Sequence, residues 1–174
     1  MLFANGTDIG EASLEFIRKT NYAHLIEEGK ELLEKHRNKI VLPVDVAVVK
    51  DGKRIDKDVT VKSDEECVVD IGCKTINEYK KIIDSSKTIF INGPMGIFEE
   101  EQSELGTKEI WQHMANSSSF TLLGGGDSIT AAEKYHLTDR FSFVSTGGGA
   151  LIQYVSQKPL PVITALKKSK EIFG

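Results

Sequence analysis

Three short segments of the 174-residue chain combine glycines with polar side chains in a way that suits phosphate binding. They are residues 92–99 (NGPMGIFE), 124–128 (GGGDS) and 145–150 (STGGGA). Glycines leave no Cβ between backbone amides and a ligand, and the amides at a helix start carry a partial positive charge that attracts phosphate oxygens. The segments therefore predict a phosphate-binding site, although glycine-rich turns often only connect a strand to a helix.

The polar residues of these segments suggest how a nucleotide could be held. Asp127 would repel phosphates unless a cation lay between them, and Mg²⁺ favours few carboxylates together with phosphate oxygens and water. Asp127 therefore indicates Mg²⁺ bound jointly with a nucleotide. Asn92 and Pro94 would shape a pocket wall. Glu99 could accept hydrogen bonds from ribose hydroxyls, or it could simply begin the solvated acidic run 99–101.

Gly147, Gly148 and Gly149 are an unfavourable way to start a helix, because each glycine costs roughly 1 kcal/mol relative to alanine. A functional reason would be that several backbone amides can approach a phosphoryl group closely and stabilise it in transit. The structural alternative is tight packing of this helix against a neighbouring strand.

Each of the three segments follows or ends a short apolar run of the strand type. Runs 88–91, 120–123 and 141–144 alternate with helical patterns, which indicates an α/β fold with a mostly parallel sheet. If these strands are parallel, their loops emerge at one carboxyl edge, where ligands bind in open α/β sheets. We therefore expect the three segments to converge.

Further elements are predicted to cover and extend this sheet. Leu25 with Leu32 and Ile26 with Leu33 predict an amphipathic helix over 20–37 that covers a sheet face. Residues 2–17 are expected to be a turn-rich start that only a brief helix could follow. The remaining expectations are a buried strand over 40–49 whose regular pairing Pro43 ends, a turn at Asp51-Gly52, a small exposed strand or hairpin arm around 59–61, a helix opened by a capping box of Thr75 and Glu78, a helix over 103–114, a helix after 150 with Leu151, Ile152 and Val155 inward, and a short C-terminal helix.

Composition and motifs disfavour several classes of function. A net charge of −4 gives no basic footprint for nucleic acid. No apolar run approaches the roughly 20 residues of a membrane span, and the first residues do not form a secretion signal, so we expect a cytoplasmic protein with no membrane partner. Two cysteines and four scattered histidines predict neither a disulfide framework nor a zinc site. The P-loop and GxGxxG patterns are absent.

In this order, NGPMGIFE, GGGDS and VSTGGGA closely resemble the C-terminal, nucleotide-binding domain of the phosphoglycerate kinase family. The resemblance covers nearly the whole chain and includes LPVD at 42–45, DIG at 70–72 and LP at 160–161. It implies the glycolytic transfer of a phosphoryl group between 1,3-bisphosphoglycerate and Mg·ADP, giving 3-phosphoglycerate and ATP. The chain departs from the family pattern at Ile91, Phe143 and 68–69, where the family usually has Trp, His and, in many members, Gly-Leu.

The resemblance also implies roles for individual residues. Glu99 would hold the ribose, and Gly147, Gly148 and Gly149 would offer amides to the migrating phosphoryl group as the catalytic groups. The nucleotide site would further contain Asn92, Pro94, Gly96, Ile97, Gly124, Gly125, Gly126, Asp127 and Ser128, with Asp127 on the Mg²⁺ that accompanies ADP or ATP.

By the same resemblance, residues 1–174 form a single partial domain without the family's N-terminal domain, which binds 3-phosphoglycerate. We therefore expect an open, mostly parallel, doubly wound α/β sheet with helices on both faces, incomplete because its first strands are absent. Kinase turnover by this chain alone is not expected. Full-length relatives would be monomers, whereas exposed sheet edges would let the fragment self-associate. The alternative is a non-catalytic module of the same fold that binds a nucleotide or a partner.

Overall fold

The computed structural model describes residues 1–60 and 64–174, which form two compact units. The first unit comprises Met1–Ser85 and Pro94–His113, and the second comprises Ser86–Gly93 and Met114–Gly174. Each unit contains helices and a sheet of its own. The predicted α/β class is therefore confirmed.

The helices and strands follow one another along the chain much as the sequence predicts. The helices are α1 (Glu11–Lys19), α2 (Leu25–His36), α3 (Cys73–Ser85), α4 (Leu105–Ala115), α5 (Gly126–Lys134), α6 (Gly149–Val155) and α7 (Pro161–Phe173). The strands are β1 (Asp45–Lys50), β2 (Lys53–Asp58), β3 (Val68–Ile71), β4 (Thr88–Asn92), β5 (Phe120–Gly124) and β6 (Phe143–Ser145). Short 3₁₀ turns lie at Phe3–Asn5, Arg37–Lys39 and Thr138–Arg140.

The sheet of the first unit is antiparallel, with the strand order β2-β1-β3. Its central strand β1 begins at Asp45, so the predicted strand over 40–49 is too long at its start. Pro43 lies just outside the strand, because proline has no N–H to donate to a ladder. The mostly parallel arrangement predicted for the chain therefore does not extend to this strand.

A tight hairpin explains why β1 and β2 are antiparallel. Asp51 and Gly52 have φ values of 51° and 71°, and Lys50 pairs with Lys53. Positive φ at both central residues is typical of the two-residue turns whose twist matches that of the strands they join. The predicted turn is confirmed. The strand or hairpin arm predicted around 59–61 is placed too late for Val59, because the hairpin arm is β2 and Val59 follows it, while Val61 lies outside the described residues.

The predicted capping box at the start of α3 is wrong. The helix begins at Cys73, so Thr75 is already helical, and Glu78 is exposed. The carboxylate of Asp45 caps the helix instead, accepting hydrogen bonds from the amides of Lys74 and Thr75 at 2.9 and 2.8 Å. A side chain from a neighbouring strand thus replaces the local cap that the sequence indicated.

The first two helices differ from their predicted form. The brief helix that could follow the turn-rich start is α1, but its nine residues extend to Lys19, beyond the predicted segment. Helix α2 buries Leu33, but Leu25 and Leu32 are 42% and 50% exposed. The seven-residue repeat therefore correctly predicts a helix, but less of the apolar side of that helix is buried than the repeat indicates.

The sheet of the second unit is parallel, with the order β4-β5-β6. Ile91 and Leu123 lie in its buried layer, at 7% and 0% exposure. Phe90, Phe120 and Phe143 are 39–54% exposed. Phe90 and Phe143 flank Leu122 in register, so they share one face of the sheet. The parallel pairing of these three strands confirms the prediction.

The C-terminal helices bury little apolar surface. Leu151 packs where a Cβ on Gly124 would lie, but Ile152 and Val155 are 37% and 52% exposed, so their predicted inward orientation is wrong. A seven-residue helix has only about two turns, and α6 meets the sheet at its first turn through Leu151. All residues of α7 are exposed.

Candidate functional site

The three strands of the second unit bring parts of all three predicted segments to one edge. Asn92 pairs with Gly124, and Gly124 pairs with Ser145, so the last residues of β4, β5 and β6 form one row. The segments that follow these residues start side by side at the carboxyl edge. Their predicted convergence is therefore confirmed for Asn92, residues 124–128 and residues 145–150, which belong to the second unit.

Ser128 links the end of β4 to the start of α5. The amide of Gly93 donates a 2.6 Å hydrogen bond to Ser128 Oγ, and the serine is fully buried. A hydroxyl held in this way fixes the backbone of both loops. Because the hydroxyl is buried, Ser128 would contact a nucleotide phosphate through its backbone amide, which lies in the first turn of α5.

Close packing explains two of the glycines that precede α5. At Gly125 φ is +98°, and a Cβ would lie 2.5 Å from Asn92 Oδ1. At Gly124 a Cβ would collide with the end of the Leu151 side chain. Gly125 therefore requires glycine whether or not a ligand binds, and packing favours glycine at 124, as the structural reading of such loops expects.

Gly126 and Asp127 differ from the glycines before them. A Cβ on Gly126 would meet no heavy atom within 4 Å. Both residues are exposed, and they open the first turn of α5, where amides have no partner four residues earlier in the helix. Packing therefore does not require glycine at position 126, while the space beside it is open to an anion.

The third segment is also open. The amide of Gly147 donates to Ser145 Oγ at 3.3 Å, which holds the start of the loop. Gly148 has φ +50°, and a Cβ on Gly148 or Gly149 would meet nothing within 4 Å. All three glycines are exposed. Tight packing, the structural alternative for this helix start, therefore does not explain Gly149, whereas the positive φ of Gly148 by itself favours glycine there.

The rest of the first segment, from Pro94 to Glu99, belongs to the first unit. The amide of Ile97 donates to the carbonyl of Val69 at 3.0 Å, and Glu100 N–H donates back to Ile97 O at 3.1 Å, which closes a turn. Phe98 is buried within this turn, whereas the Glu99 residue is exposed. Glu99 is thus presented to solvent from a fixed backbone.

Polar contacts hold the middle of this loop. The amides of Met95 and Gly96 both donate to Oγ1 of Thr107, at 3.0 and 3.3 Å, and Thr107 is fully buried. A Cβ on Gly96 would lie 2.5 Å from Asp70 Oδ1. Pro94 and Ile97 are half-buried. The predicted binding residues of this loop are therefore anchored to the first unit's own core.

Asp70 and Arg54 form a buried contact for which the sequence predicted no role. Asp70 lies within β3, among the apolar residues of that strand. Its side chain is fully buried, and Arg54 Nη1 donates to its Oδ2 at 2.8 Å. Burial raises the pKa of Asp70, even though its hydrogen bonds from Gly106, Arg54 and Ile71 lower it. An aspartate inside an apolar strand was the signal, since a buried carboxylate needs a partner.

Among the residues that the structure describes, Asp127 is not part of a larger cluster of metal ligands. Within residues 1–60 and 64–174, no group of three or more His, Cys, Asp or Glu side chains is placed to hold a metal ion. A magnesium site at Asp127 would therefore draw its other ligands from the nucleotide and from water. The helices of the same ranges are too short or too polar to cross a bilayer.

The chain has parallel strands with glycine-rich loops at their carboxyl ends, and helices follow these loops. This arrangement places it among the α/β proteins with an open binding edge. The chain belongs to the phosphoglycerate kinase family, whose model matches residues 1–158. This match confirms the resemblance that the loop sequences indicated.

Curated relatives and solved structures agree with this assignment. The chain is 42% identical to the phosphoglycerate kinase of Thermoplasma acidophilum and 39% identical to that of Methanothermus fervidus, over 99% and 98% of its own length. The crystal structure of phosphoglycerate kinase from Pyrococcus horikoshii OT3 superposes with a TM-score of 0.88, at 35% identity over 99% of the chain. The Coxiella burnetii phosphoglycerate kinase structure gives 0.81, at 33% identity over 94%.

The chain spans less than half of each of these proteins. It covers 42% of the Thermoplasma acidophilum enzyme, 41% of the Methanothermus fervidus enzyme, and 43% and 42% of the two solved chains. Family membership is therefore shown over this part of the relatives' length, and the activity of the whole enzyme is a matter of proposal.

Proposed function

We propose that the chain forms the nucleotide-binding part of a phosphoglycerate kinase, which transfers a phosphoryl group between 1,3-bisphosphoglycerate and Mg·ADP. The observation that carries this proposal is the open first turn of α5. It directly follows a parallel strand, its Gly126 leaves space that packing does not use, and its Asp127 is exposed. An anion can therefore approach the helix amides without displacing a side chain.

The residues of this turn fit a magnesium nucleotide. Asp127 would hold Mg²⁺ together with phosphate oxygens and water, the ligand set that this ion prefers. The ion would neutralise phosphate charge during transfer. The backbone of Gly126 and Ser128 would meet the nucleotide phosphates, and the Gly93 to Ser128 hydrogen bond keeps that backbone in place. Gly124 and Gly125 allow the close packing on which the turn rests.

The loop before α6 would stabilise the phosphoryl group while it is transferred. Gly148 and Gly149 lack neighbours where a Cβ would lie, so a phosphoryl group could approach their amides closely. Gly147 would complete this set, although its amide here donates to Ser145 Oγ. Amides aimed at developing charge stabilise a transition state without reorganising. The three glycines are thus proposed as the catalytic contribution of this chain.

The remaining nucleotide contacts are proposed from the family resemblance. Glu99 would accept hydrogen bonds from the ribose, supported by its exposure on a fixed turn. Contacts to the nucleotide are also proposed for Asn92, Pro94, Gly96 and Ile97. Five further expectations stay predictions. They are the binding of 3-phosphoglycerate by a separate domain, the monomeric state of full-length relatives, self-association of this chain, a cytoplasmic location and the absence of turnover by the chain alone.

Calorimetric titration with Mg·ADP tests the proposal. We expect the chain to bind Mg·ADP, and Asp127→Ala to weaken binding at least about tenfold, the effect of losing one charge-assisted contact. Removing Mg²⁺ with EDTA should weaken the wild type to a similar extent and the variant much less. Glu133→Ala is the matched control, because Glu133 is an exposed carboxylate near the other end of α5. It should bind like the wild type.

Two outcomes would contradict the proposal. If the wild type releases no heat and shows no binding at millimolar Mg·ADP, the chain is not a nucleotide-binding unit. If Glu133→Ala weakens binding as much as Asp127→Ala, the effect reflects the net charge of the helix rather than a magnesium site at its first turn.

A further inference from the structure

A buried ion pair joins β2 to the end of β3 in the first unit. The side chain of Asp70 is fully buried and that of Arg54 is 14% exposed, with Nη1 2.8 Å from Asp70 Oδ2. The same guanidinium donates to Asp56 Oδ1 at 2.9 Å and to the carbonyl of Ile71 at 2.7 Å. A planar group with several donors in a fixed fork suits three such acceptors, whereas lysine does not.

Asp70 in turn contacts the backbone on both sides of the segment that contains Glu99. Before Glu99, a Cβ on Gly96 would lie 2.5 Å from Asp70 Oδ1. After Glu99, Gly106 donates its amide to Asp70 Oδ2 at 2.6 Å, and a Cβ on Gly106 would also collide with the carboxylate. The backbone therefore closes on the carboxylate from two sides.

Arg54 also reaches this segment through its backbone. Its amide donates to Gln102 Oε1 at 3.2 Å. Between Gly96 and Gln102, the Ile97 amide is bound to β3 at Val69, and the turn that presents Glu99 begins at Ile97. The backbones of β2 and β3, which the pair joins, thus hold anchor points on both sides of that turn.

We propose that Arg54 and Asp70 are positioning residues that hold Glu99 in the geometry needed to bind the ribose of a nucleotide. This inference rests on the proposed function, because Glu99 has a ribose to bind only if the chain binds a nucleotide. Neither residue contacts the ligand. Their effect is transmitted by the backbone between Gly96 and Gly106, which cannot close on Asp70 unless Arg54 orients the carboxylate.

The first test measures the loop without any ligand. In Arg54→Lys, hydrogen exchange of the Gly96, Ile97 and Gly106 amides should accelerate at least about tenfold, as expected for local opening, while the amides of β1 keep their protection. Asp70→Asn should show the same pattern. Arg54→Lys is the safer variant for folding, because it keeps a positive charge beside Asp70. Unchanged exchange at all three amides would overturn the inference.

The second test separates positioning from general destabilisation through a double-mutant cycle with Glu99→Gln. Arg54→Lys should raise the Kd for Mg·ADP about tenfold, the factor that the loss of one hydrogen bond to a charged group produces. In the Glu99→Gln background it should raise the Kd less than about twofold, because the positioned carboxylate is already gone. An equal effect in both backgrounds would mean that the pair does not act through Glu99, and the inference would be wrong.

A matched ion pair on the same strand supplies the control. Lys57 lies 3.0 Å from Glu66, and their side chains are 21% and 12% exposed. Lys57→Gln removes a comparable pair from β2 and should change neither loop exchange nor the Kd. If it reproduces the Arg54→Lys result, the inference is wrong. If the wild type itself does not bind Mg·ADP, the proposed function fails, and the hydrogen-exchange measurement alone decides whether the pair fixes the loop.

Discussion

Glycines in the two units serve different purposes although they occur in similar motifs. In the first unit, residues 96 and 106 must be glycine because the carboxylate of Asp70 occupies the space where a Cβ atom would lie. In the second unit, Gly126, Gly148 and Gly149 have no heavy atom within 4 Å of that position. The first kind of glycine is required by the packing of the fold. Of the second kind, Gly148 is still required by its positive φ of +50°, whereas neither packing nor a positive φ requires glycine at 126 or 149.

This difference bears on the phosphate contacts that are proposed for the second unit. A glycine at a helix start is unfavourable relative to alanine, so an open glycine needs another reason to be there. Close approach of a phosphate to the backbone is such a reason. The first unit instead fixes a loop by a buried charge, and the loop then presents Glu99.

The largest expected effect concerns Gly96. Gly96→Ala places a Cβ 2.5 Å from Asp70 Oδ1 and 2.6 Å from the carbonyl oxygen of Val69. Backbone cannot move aside as the end of a flexible side chain can, so we expect a loss of about 1–3 kcal/mol in the free energy of unfolding, the range for overpacked sites. Urea denaturation followed by fluorescence of Trp111, which is buried in the first unit, measures it.

Gly149→Ala supplies the opposite case in the second unit. No clash arises there, and alanine is the better helix former, so stability should be unchanged or higher by up to about 1 kcal/mol. Circular dichroism of urea denaturation measures this. A loss as large as that of Gly96→Ala would show that the two kinds of glycine do not differ.

Local patterns in the sequence were sufficient for the parallel strands, the hairpin turn and the glycine-rich edge. Each of these depends on neighbouring residues: β-branched and aromatic runs for β4 and β5, and Asp51-Gly52 for the turn. The row formed by Asn92, Gly124 and Ser145 then follows from the parallel pairing of strands with loops at their carboxyl ends. These features could therefore be predicted from the amino-acid sequence alone.

Contacts between residues distant in sequence could not be predicted in this way. The cap of α3 comes from Asp45, about thirty positions earlier, so the local Thr75 and Glu78 pattern was misleading. The partner of Asp70 is Arg54 on another strand, and only the need of a buried carboxylate for a partner was visible. The different reasons for glycine at 96 and at 149 likewise depend on what lies opposite each residue in space.

A smaller effect is expected at Gly124, which belongs to the packing kind although it lies in the second unit. A Cβ there would meet the end of the Leu151 side chain, which can rotate away, and Phe90 Cε2 at 3.2 Å. Gly124→Ala should therefore cost about 1 kcal/mol, near the lower limit for overpacking. Hydrogen exchange of the β5 amides measures it within this unit.

Shortening the opposing side chain tests the cause of that loss. In the Leu151→Ala background, Gly124→Ala should cost less than it does in the wild type, because the colliding atoms are gone. Equal losses in both backgrounds would mean that Gly124 is required for a reason other than its contact with Leu151.

The smallest and most gradual effect is the pH dependence conferred by Asp70. Burial raises its pKa in the folded state above the ordinary value of 3.8, which it regains on unfolding. The folded state therefore takes up a proton at a higher pH than the unfolded state does. As pH falls from near neutral towards about 4, the wild type should gain stability relative to Asp70→Asn, and the difference should then level off.

Urea denaturation of both proteins at several pH values, followed by Trp111 fluorescence, gives this difference directly, because titrations common to both cancel. The direction of the trend is the informative result. If the wild type instead loses stability relative to Asp70→Asn on acidification, the hydrogen bonds from Gly106, Arg54 and Ile71 outweigh burial. The folded state would then favour the charged form of Asp70. The hydrogen bonds to this carboxylate would stabilise its charge by more than burial destabilises it.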